Sequence, residues 1–192
     1  KNYSKNGDDL LDLSCGKGGD LNHWLDSKLN TIIGVDINRD NLENIDNGFC
    51  NRILSTQIDN KSPLLRNMLV IWADSSRLLK TGEAAKDDLN KYYLDVLFGN
   101  VSKELVTNSK LKKFYGLAEQ KLDVVSCQFS IHYFFESKVK LDVFLENVSS
   151  SLKTGGKFIG TCLDGSKVFE QLSTVPDLSI YSKKNEPLWK IS

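Results

Sequence analysis

The sequence lacks the paired cysteines of a zinc site or a disulfide framework. Its four cysteines are widely separated, and no two of them form a Cys-x-x-Cys pair. They are Cys15, Cys50, Cys127 and Cys162. Closely spaced pairs are typical of zinc sites and of small disulfide-bonded domains. We therefore expect no metal site, and we expect a reducing, intracellular compartment.

Long apolar runs are also absent. The longest is MLVIWA at residues 68–73, far below the ~20 residues that a membrane-spanning helix needs. The opening residues, KNYSKNGDD, contain no apolar segment of the kind found in signal peptides. We therefore expect neither membrane insertion nor secretion.

There is no excess of either charge, since 25 Lys and Arg residues balance 25 Asp and Glu residues. Without an overall positive field, any contact with nucleic acid has to be local. Residues 110–113 (KLKK) and 183–184 (KK) are candidates for such contact, although a solvated surface is the more ordinary interpretation of both. The length of 192 residues suits one domain with its own core.

Short segments rich in Val, Ile and Leu predict strands, and helical spacing predicts helices between them. The predicted strands are residues 9–14, 31–36, 67–73, 121–129 and 156–163. The helical stripes are Leu21, Trp24, Leu25 and Leu29, and Leu141, Phe144, Leu145, Val148 and Leu152, the second ending before Thr154-Gly155-Gly156. Nearly continuous apolar strands that alternate with helices predict an α/β fold, a mainly parallel sheet with helices on both faces.

The third and fourth predicted strands are separated by a long, less regular segment. Residues 75–120 carry clustered charge, an aromatic pair at Tyr92 and Tyr93, and the tetrapeptide LFGN. We interpret this segment as an inserted helical region. No repeat or linker divides the rest of the chain, so residues 1–192 are predicted to form a single domain.

Polar residues follow the predicted strands at their carboxyl ends. In open α/β sheets, ligands bind beyond these ends. The glycine-rich stretch 14–20 (SCGKGGD) follows the first strand, and its glycines allow backbone to approach a ligand closely. It does not fit the dinucleotide pattern GxGxxG, because the third glycine would fall at Leu21. Counted from Ser14, the pattern is SxGxG, typical of methyltransferase loops around S-adenosylmethionine (SAM); a purely structural tight turn is the alternative.

Acidic residues end the second and third strands. Asp36 stands 22 positions after Ser14 (36 − 14), where a carboxylate can accept hydrogen bonds from a ribose diol. Asp74 and Ser75 end the third strand, where such a pair can receive an adenine amino group. The alternative interpretation of both sites is a helix cap.

The fourth strand ends in QFSIHYFFE, which places His132, one of only two histidines, between aromatic residues. A histidine among apolar residues is more often a core residue. Here, however, it follows the carboxyl end of a strand. An aromatic ring beside a hydrogen-bonding side chain suits a purine, because the ring stacks on the base and the side chain hydrogen-bonds to one of its edges.

These segments together resemble the messenger RNA cap guanine-N7 methyltransferases, a class I SAM-dependent family. The likeness is carried by SCGKGGDLNHW, GVDI, ADSS, CQFSIHYFFES and GGKFIGTCLDG, in this order, from residue 8 to about residue 165. The insertion with LFGN before YGLAEQKLDVVSCQFSIHYFFE most resembles the methyltransferase domains of capping enzymes from large cytoplasmic DNA viruses. The resemblance implies a Rossmann-like class I methyltransferase fold, and methyl transfer from SAM to N7 of the mRNA cap guanine.

The resemblance also implies a role for particular residues. Ser14 stands where the family usually has glycine. Gly16 and Gly18 would pass along the methionine part of SAM, Asp36 would hold the ribose, and Gln128 and Tyr133 would surround the sulfonium. The implied cofactor-binding set is Ser14, Gly16, Gly18, Asp36, Asp74, Ser75, Gln128 and Tyr133.

The implied substrate is the GpppN end of capped RNA. His132 matches a residue that contacts the cap guanine, and Lys17 matches one near the cap phosphates. His23, one helical turn further, would line the cap site or face solvent. No catalytic acid or base is expected, because N7 carries a free lone pair and catalysis would come from positioning.

Some family features are missing. An Asn-and-Lys segment normally lies upstream of residue 1, and an acidic residue that grips the guanine normally lies further downstream. LSIYS and PLWKIS would begin an antiparallel strand pair that is incomplete. The resemblance therefore implies a fragment of a longer protein or an incomplete domain, and it leaves open whether triphosphatase and guanylyltransferase domains lie in the same polypeptide. A viral protein of this kind would act in the cytoplasm of the infected cell or in the virion.

Two other functions are compatible with the loop and the two aspartates. One is a class I methyltransferase that acts on another substrate, against which only QFSIHYFFE and Lys17 argue. The other is a non-catalytic methyltransferase-like subunit of a capping complex, which Ser14 and the missing ends favour. A nicotinamide dehydrogenase is the weakest alternative, because the glycine spacing is wrong.

Overall fold

The computed structural model of the chain describes residues 3–59, 62–175, 177–183 and 187–191. A parallel sheet in the order β3-β2-β1-β4-β5 forms its centre. Its strands are β1 (Asp9–Asp12), β2 (Thr31–Asp36), β3 (Met68–Trp72), β4 (Leu122–Cys127) and β5 (Leu152–Gly160). The predicted parallel α/β architecture is confirmed.

Helices connect these strands, as the apolar spacing predicts. They are α1 (Leu21–Asp26), α2 (Arg39–Glu43), α3 (Phe49–Asp59), α4 (Asp88–Leu97), α5 (Ser109–Lys112) and α6 (Lys138–Ser151). Short 3-10 turns lie at Pro63–Arg66, Lys103–Leu105 and Ile131–Glu136. Between β3 and β4, in the region interpreted as an insertion, the chain forms α4, one 3-10 turn and α5.

The sheet is covered on both faces, because successive side chains of a strand point to opposite sides. Leu11 and Ile33 belong to one buried apolar cluster, together with residues of α4, α5 and α6. Leu10 and Ile32, their neighbours in the chain, belong to a second cluster with residues of α1, α2 and α3. The continuous apolar strands of the sequence therefore reflect two helical layers.

The fifth strand differs from the prediction. The helix ends at Ser151, so Leu152 begins β5 instead of continuing the helical stripe. Leu122 of β4 pairs with Leu152, but Val124, two residues further, pairs with Lys157. The intervening Lys-Thr-Gly-Gly residues are therefore an irregularity within the strand. The helix does end before Thr154, as predicted, but Leu152 belongs to the strand and not to the helical stripe.

Residues 1–161 and 162–192 form two separate compact units. The second unit contains α7 (Gly165–Leu172) and an antiparallel pair, β6 (Leu178–Tyr181) and β7 (Pro187–Ile191). These two strands occupy the segments LSIYS and PLWKIS. That the whole chain is one domain stays a prediction.

Candidate active site

The carboxyl ends of β1, β2, β3 and β4 surround a cavity of about 760 Å³. Four loops line it, and each follows one of these strands. The sequence-predicted residues on its wall are Ser14, Gly16, Lys17, Asp36, Asp74, Ser75, Gln128 and Tyr133. Gly18, His132 and His23 are absent from this wall. The topology thus brings Ser14 and Tyr133, 119 positions apart in the chain (133 − 14), to one site.

The two glycines of the first loop have different tasks. Both have left-handed backbone, with φ of +53° at Gly16 and +71° at Gly18. A Cβ at Gly18 would lie 2.2 Å from Cδ2 of Phe49, so this glycine allows the loop to pack on α3. A Cβ at Gly16 would meet nothing within 4 Å. Gly16 therefore gives the cavity wall its backbone shape, and Gly18 anchors the loop behind it.

Asp36 holds the first and second loops together. Its Oδ2 accepts a hydrogen bond from the Gly16 N–H at 2.8 Å, and its Oδ1 accepts one from the Asn38 N–H at 2.9 Å. Asn41 donates a longer bond to Oδ1, at 3.2 Å. The residue that caps α2 is Asn38, which accepts from the Asp40 N–H, so the helix-cap interpretation of Asp36 is wrong.

Asp74 and Ser75 follow β3 in a tight turn, and no helix begins there. Asp74 Oδ1 accepts bonds from the N–H and the hydroxyl of Ser76, and Lys86 Nζ lies 3.3 Å from its Oδ2. Burial raises the pKa of Asp74, but these bonds and the Lys86 ammonium outweigh it and hold the pKa below its usual value. The buried Ser75 hydroxyl donates to the Leu13 carbonyl at 2.7 Å, so it is turned away from a ligand.

Asn147 is a residue of the site that sequence reasoning missed. It is buried on α6, where its Oδ1 accepts from the Leu79 N–H at 3.0 Å. Its Nδ2 donates to the carbonyls of Ser75 and Arg77 at 3.0 and 2.8 Å. Three bonds from one amide thus fix the loop that carries Asp74. The available signal was a polar residue within the apolar stripe of α6.

Asp12 is the second missed residue. It is buried at the end of β1, and its Oδ1 accepts a hydrogen bond from the Ser14 N–H at 2.9 Å. The pKa of Asp12 is raised to about 7, mainly by burial. Hydrogen bonds from Ser14 and Ser126 lower this pKa, and the nearby Asp20 and Asp36 carboxylates raise it. The site therefore rests on a carboxyl group that titrates near neutral pH.

The hydroxyl of Ser14 joins the first loop to the fourth. It accepts a hydrogen bond from the Ser130 hydroxyl at 2.7 Å and lies 3.3 Å from Cys127 Sγ. A glycine at position 14 could make neither contact. In this chain the serine therefore adds a side-chain link between two walls of the cavity.

Gln128 is oriented from two sides. Its Nε2 donates to the Ser126 hydroxyl, and its Oε1 accepts from the Thr161 hydroxyl, both at 3.2 Å. Thr161 also accepts from the N–H of Phe129, a residue with left-handed backbone and a largely exposed ring on the cavity wall. Exposed aromatic rings at Phe129 and Tyr133 give this side of the cavity flat apolar surfaces.

Three basic side chains reach the cavity wall, and two of them are engaged. Lys17 Nζ donates to Asn47 Oδ1 at 2.6 Å and lies 3.6 Å from an Asp40 oxygen. Lys140 is paired with Glu136 at 2.6 Å. The third is Arg52, on α3. The wall also carries four acidic side chains, Asp20, Asp36, Asp74 and Glu136, so positive charge is available at individual side chains and not over the whole cavity.

The two histidines lie beside the main cavity. The ring of His132 packs on Tyr133 with centroids 4.3 Å apart, and within the described chain its buried Nδ1 has no hydrogen-bond partner. His23 is exposed and lines a neighbouring cavity of about 120 Å³, which shares Asp20 and Gln128 with the main one. The cap-binding roles of both histidines stay predictions.

The wall of the cavity fits the polar groups of SAM. A carboxylate has about four acceptor positions, and three donors occupy three of those of Asp36, so one remains for a hydroxyl group.

Among the described residues no group of three or more His, Cys, Asp or Glu side chains is placed to hold a metal ion. The same part of the chain contains no helix long and apolar enough to cross a membrane.

Comparison with known proteins identifies the family of the chain. A family model described as the mRNA (guanine-N(7))-methyltransferase domain matches residues 1–183. The probable mRNA-capping enzyme of Acanthamoeba polyphaga mimivirus is 27% identical over 185 residues, which are 92% of this chain and 14% of that protein. The mRNA cap guanine-N(7) methyltransferase of Lodderomyces elongisporus is 33% identical over 156 residues, 79% of this chain and 23% of that protein.

A solved structure supports the fold. An S-adenosylmethionine-dependent methyltransferase from Clostridium acetobutylicum superposes with a TM-score of 0.51 at 21% identity, covering 92% of this chain and 50% of that one. At this identity the likeness concerns the fold alone. The chain spans less than a quarter of the two curated relatives named above. The predicted fold class and family are confirmed: the chain belongs to the mRNA (guanine-N7)-methyltransferase domain family.

Proposed function

We propose that this chain transfers a methyl group from SAM to N7 of the guanine cap of mRNA. The observation that carries the proposal is the single cavity of about 760 Å³ in which Asp36, Asp74 and the glycine loop meet Gln128 and Tyr133. Membership of the cap methyltransferase family supports the choice of substrate. Capped RNA is thus the proposed partner.

The residues that would hold the cofactor are already oriented by the fold. Asp36 would accept a ribose hydroxyl, since the Gly16 and Asn38 amides fix both of its oxygens. Asp74 would accept the adenine amino group, and its low pKa keeps it ionised at neutral pH. The main chain at Ser14 and Gly16 would border the methionine part, with Gly18 holding the loop in place.

The reaction needs positioning more than acid–base chemistry. SAM supplies an electrophilic methyl carbon when it is bound. Guanine N7 carries a free lone pair, so no proton has to be removed by the protein. Gln128 and Tyr133 would hold the two reactants in line, an effect that contributes roughly 7–11 kcal/mol in well-oriented systems. The rings of Tyr133 and Phe129 would also exclude water and face the positive charge that moves to the purine.

The cap would lie on the side of the cavity where basic and aromatic groups meet. Lys17 would exchange its contacts with Asn47 and Asp40 for a phosphate oxygen. The ring of His132, which packs on Tyr133 beside the cavity, would contact the guanine, and His23 would border the neighbouring small cavity. These roles rest on the resemblance of the motifs and on the position of the residues beside the cavity.

We also propose that the chain acts within a larger capping enzyme. The mimivirus relative, described as a probable mRNA-capping enzyme, is much longer than the matched segment, which leaves room for triphosphatase and guanylyltransferase domains. A viral origin of this kind would place the reaction in the cytoplasm of the infected cell or in the virion. The proposal of a larger enzyme would fail if the natural polypeptide were found to end close to this domain.

Binding can be tested by calorimetric titration with S-adenosylhomocysteine and then with the cap analogue GpppA. We expect both to bind. We expect Asp36→Asn to weaken nucleoside binding more than tenfold, about 1.4 kcal/mol, because the neutral amide has one acceptor oxygen where the carboxylate has two. Asp46→Asn is the matched control, since Asp46 is exposed and does not line the cavity. Nucleoside binding that Asp36→Asn leaves intact would contradict the proposed cofactor site, and nucleoside binding without cap binding would favour another substrate.

A further inference from the structure

A second concave surface lies along β3, the strand at one outer edge of the sheet. It is a groove of about 380 Å³ along β3, which pairs with β2 on one side only. The groove shares no lining residue with the proposed active site. We call it the β3 groove, and its lining residues are Cys50, Ile53, Leu54, Met68, Leu69, Val70, Tyr93, Asn108, Lys110, Leu111 and Phe114.

The hydrogen bonds to β2 show which backbone groups of β3 face the groove. The Ile32 N–H donates to the Asn67 carbonyl, and the Ala73 N–H donates to the Asp36 carbonyl. Residues 67 and 73 therefore direct their main-chain groups toward β2. Because successive residues of a strand direct these groups to opposite sides, residues 68, 70 and 72 direct theirs to the outer edge.

Part of this edge is already paired. The Trp72 N–H donates to Asn90 Oδ1 at 2.8 Å, and the Trp72 carbonyl accepts from the Lys86 N–H at 3.2 Å. Within the described chain no comparable strand covers Met68 and Val70, which line the groove instead. The open edge is therefore confined to the amino-terminal part of β3, inside the groove.

The groove walls are the two helical layers that cover the faces of the sheet. On one side α3 contributes apolar side chains, and it presents Leu54 with 61% exposure and Ile58, one turn further, with 82% exposure. On the other side stand α4 and α5, with the ring of Tyr93 partly buried. An open strand edge between two apolar walls is the geometry in which an added extended strand continues a sheet.

The rim of the groove is basic on the α5 side. Lys110 lines the groove, and Lys113 Nζ donates to Asn67 Oδ1 at 2.8 Å and to the Arg66 carbonyl. Burial, and then the neighbouring Lys110 ammonium, lower the pKa of Lys113. Within the described chain no carboxylate forms an ion pair with Lys110, Lys113 or Arg66.

We propose that the β3 groove binds an extended, acidic and apolar segment of a partner protein, which adds a strand to the sheet at Met68 and Val70. Apolar side chains of the segment would fill the space beside Leu54 and Tyr93, and its carboxylates would meet Lys110. The basic rim formed by Lys110 and Lys113 selects an acidic segment by charge complementarity. The proposal is independent of the reaction at the active site.

The probe is an array of short synthetic peptides in which Val, Ile, Leu or Phe alternates with Asp or Glu. A matched array carries Lys or Arg in place of the acids. We expect binders in the acidic array only, and we expect the best of them to lose at least tenfold in affinity toward Lys110→Glu. Lys5→Glu is the matched control, with the same charge change on an exposed side chain before β1, and it should bind like the unchanged protein.

Two further measurements separate strand addition from other binding. Methylating alternate peptide nitrogens on the edge that faces β3 should abolish binding, because those groups could no longer donate to the carbonyls of Met68 and Val70. Leu54→Asp should weaken binding at unchanged thermal stability, since Leu54 is exposed. Equal binding of both arrays, no binder in the acidic array, or undiminished binding of the methylated peptides would overturn the proposal. So would a concentration-dependent dimer, seen by sedimentation, that Leu54→Asp abolishes.

Discussion

At the scale of single residues, the site depends on buried polar groups that touch backbone as much as on those that face the cavity. Asp36 and Asn147 together make several hydrogen bonds to loop main chain, and each leaves little freedom to the loop it holds. Such groups are costly to bury without partners, which makes the loops rigid once the fold has formed. Pre-organisation of this kind suits a reaction that depends on positioning.

The Asp12 carboxyl should make the stability of the protein depend on pH. Its pKa is about 7 in the folded chain and 3.8 in the unfolded one, so between these values the folded state binds more protons. Stability should therefore fall as pH rises from about 4 to about 7 and then level off, by up to ~4 kcal/mol from this group. Asp12→Asn should remove that part of the fall. Denaturant unfolding at several pH values measures the free energy of unfolding of both proteins. Their difference is the contribution of Asp12, because the other titrating groups contribute equally to both.

Equal pH dependence of the two proteins would show that Asp12 does not titrate in this range. Asp46→Asn serves as the control, because Asp46 is exposed and should leave the pH profile unchanged.

Replacing Asn147 should loosen the loop that carries Asp74. Asn147→Leu is close in volume but leaves the Leu79 N–H and two carbonyls without partners, and each such group costs about 1–3 kcal/mol. We expect a loss of at least ~3 kcal/mol in the free energy of unfolding, together with weaker binding of S-adenosylhomocysteine. Denaturant titration and calorimetry measure the two effects. Asn51→Leu, which removes one exposed hydrogen bond on α3, should cost much less.

At the scale of elements, the sequence predicted the strands whose bounds depend on a local apolar pattern. The span of β2 is predicted at 31–36 and observed at Thr31–Asp36, because it is rich in Ile and Val, is buried throughout and pairs on both sides. β5 was mispredicted because it is an edge strand with exposed residues, so its first part carries no apolar pattern. The contacts of Asn147 were missed because they are made with a segment distant in the chain. Asp12 was missed because its burial depends on the packing of the whole sheet. Loop glycines were recognised, but not that Gly18 serves packing.

The glycine loop and α3 form one unit, which a pair of substitutions can show. At Gly18 a Cβ would overlap the Phe49 ring, and the left-handed backbone disfavours any side chain. At Gly19 a Cβ would meet nothing within 4 Å. Gly18→Ala should therefore lower the free energy of unfolding by about 1–3 kcal/mol, and Gly19→Ala by no more than ~0.5 kcal/mol. Urea unfolding compares them, and equal losses would refute this packing role.

At the scale of the whole molecule, the sheet order places the proposed active site at the carboxyl ends of the strands and leaves the outer edge of β3 open. The four strand ends at the centre form the proposed active site, and the outer edge of β3 forms the β3 groove. A chain with no net charge can still receive RNA at the cavity, since single basic side chains such as Lys17 and Arg52 reach its wall. Catalysis and partner binding would then use separate surfaces of one fold.

The central claim is the position of the transferred methyl group. The chain should be incubated with SAM carrying a labelled methyl group and with RNA that bears an unmethylated GpppA cap, and the digested product should be separated by chromatography. We predict label in 7-methylguanosine, with transfer lowered more than tenfold by Asp36→Asn and unchanged by Asp46→Asn. Label at a ribose hydroxyl, at another base atom or on protein would contradict the account, as would transfer that Asp36→Asn leaves unaffected.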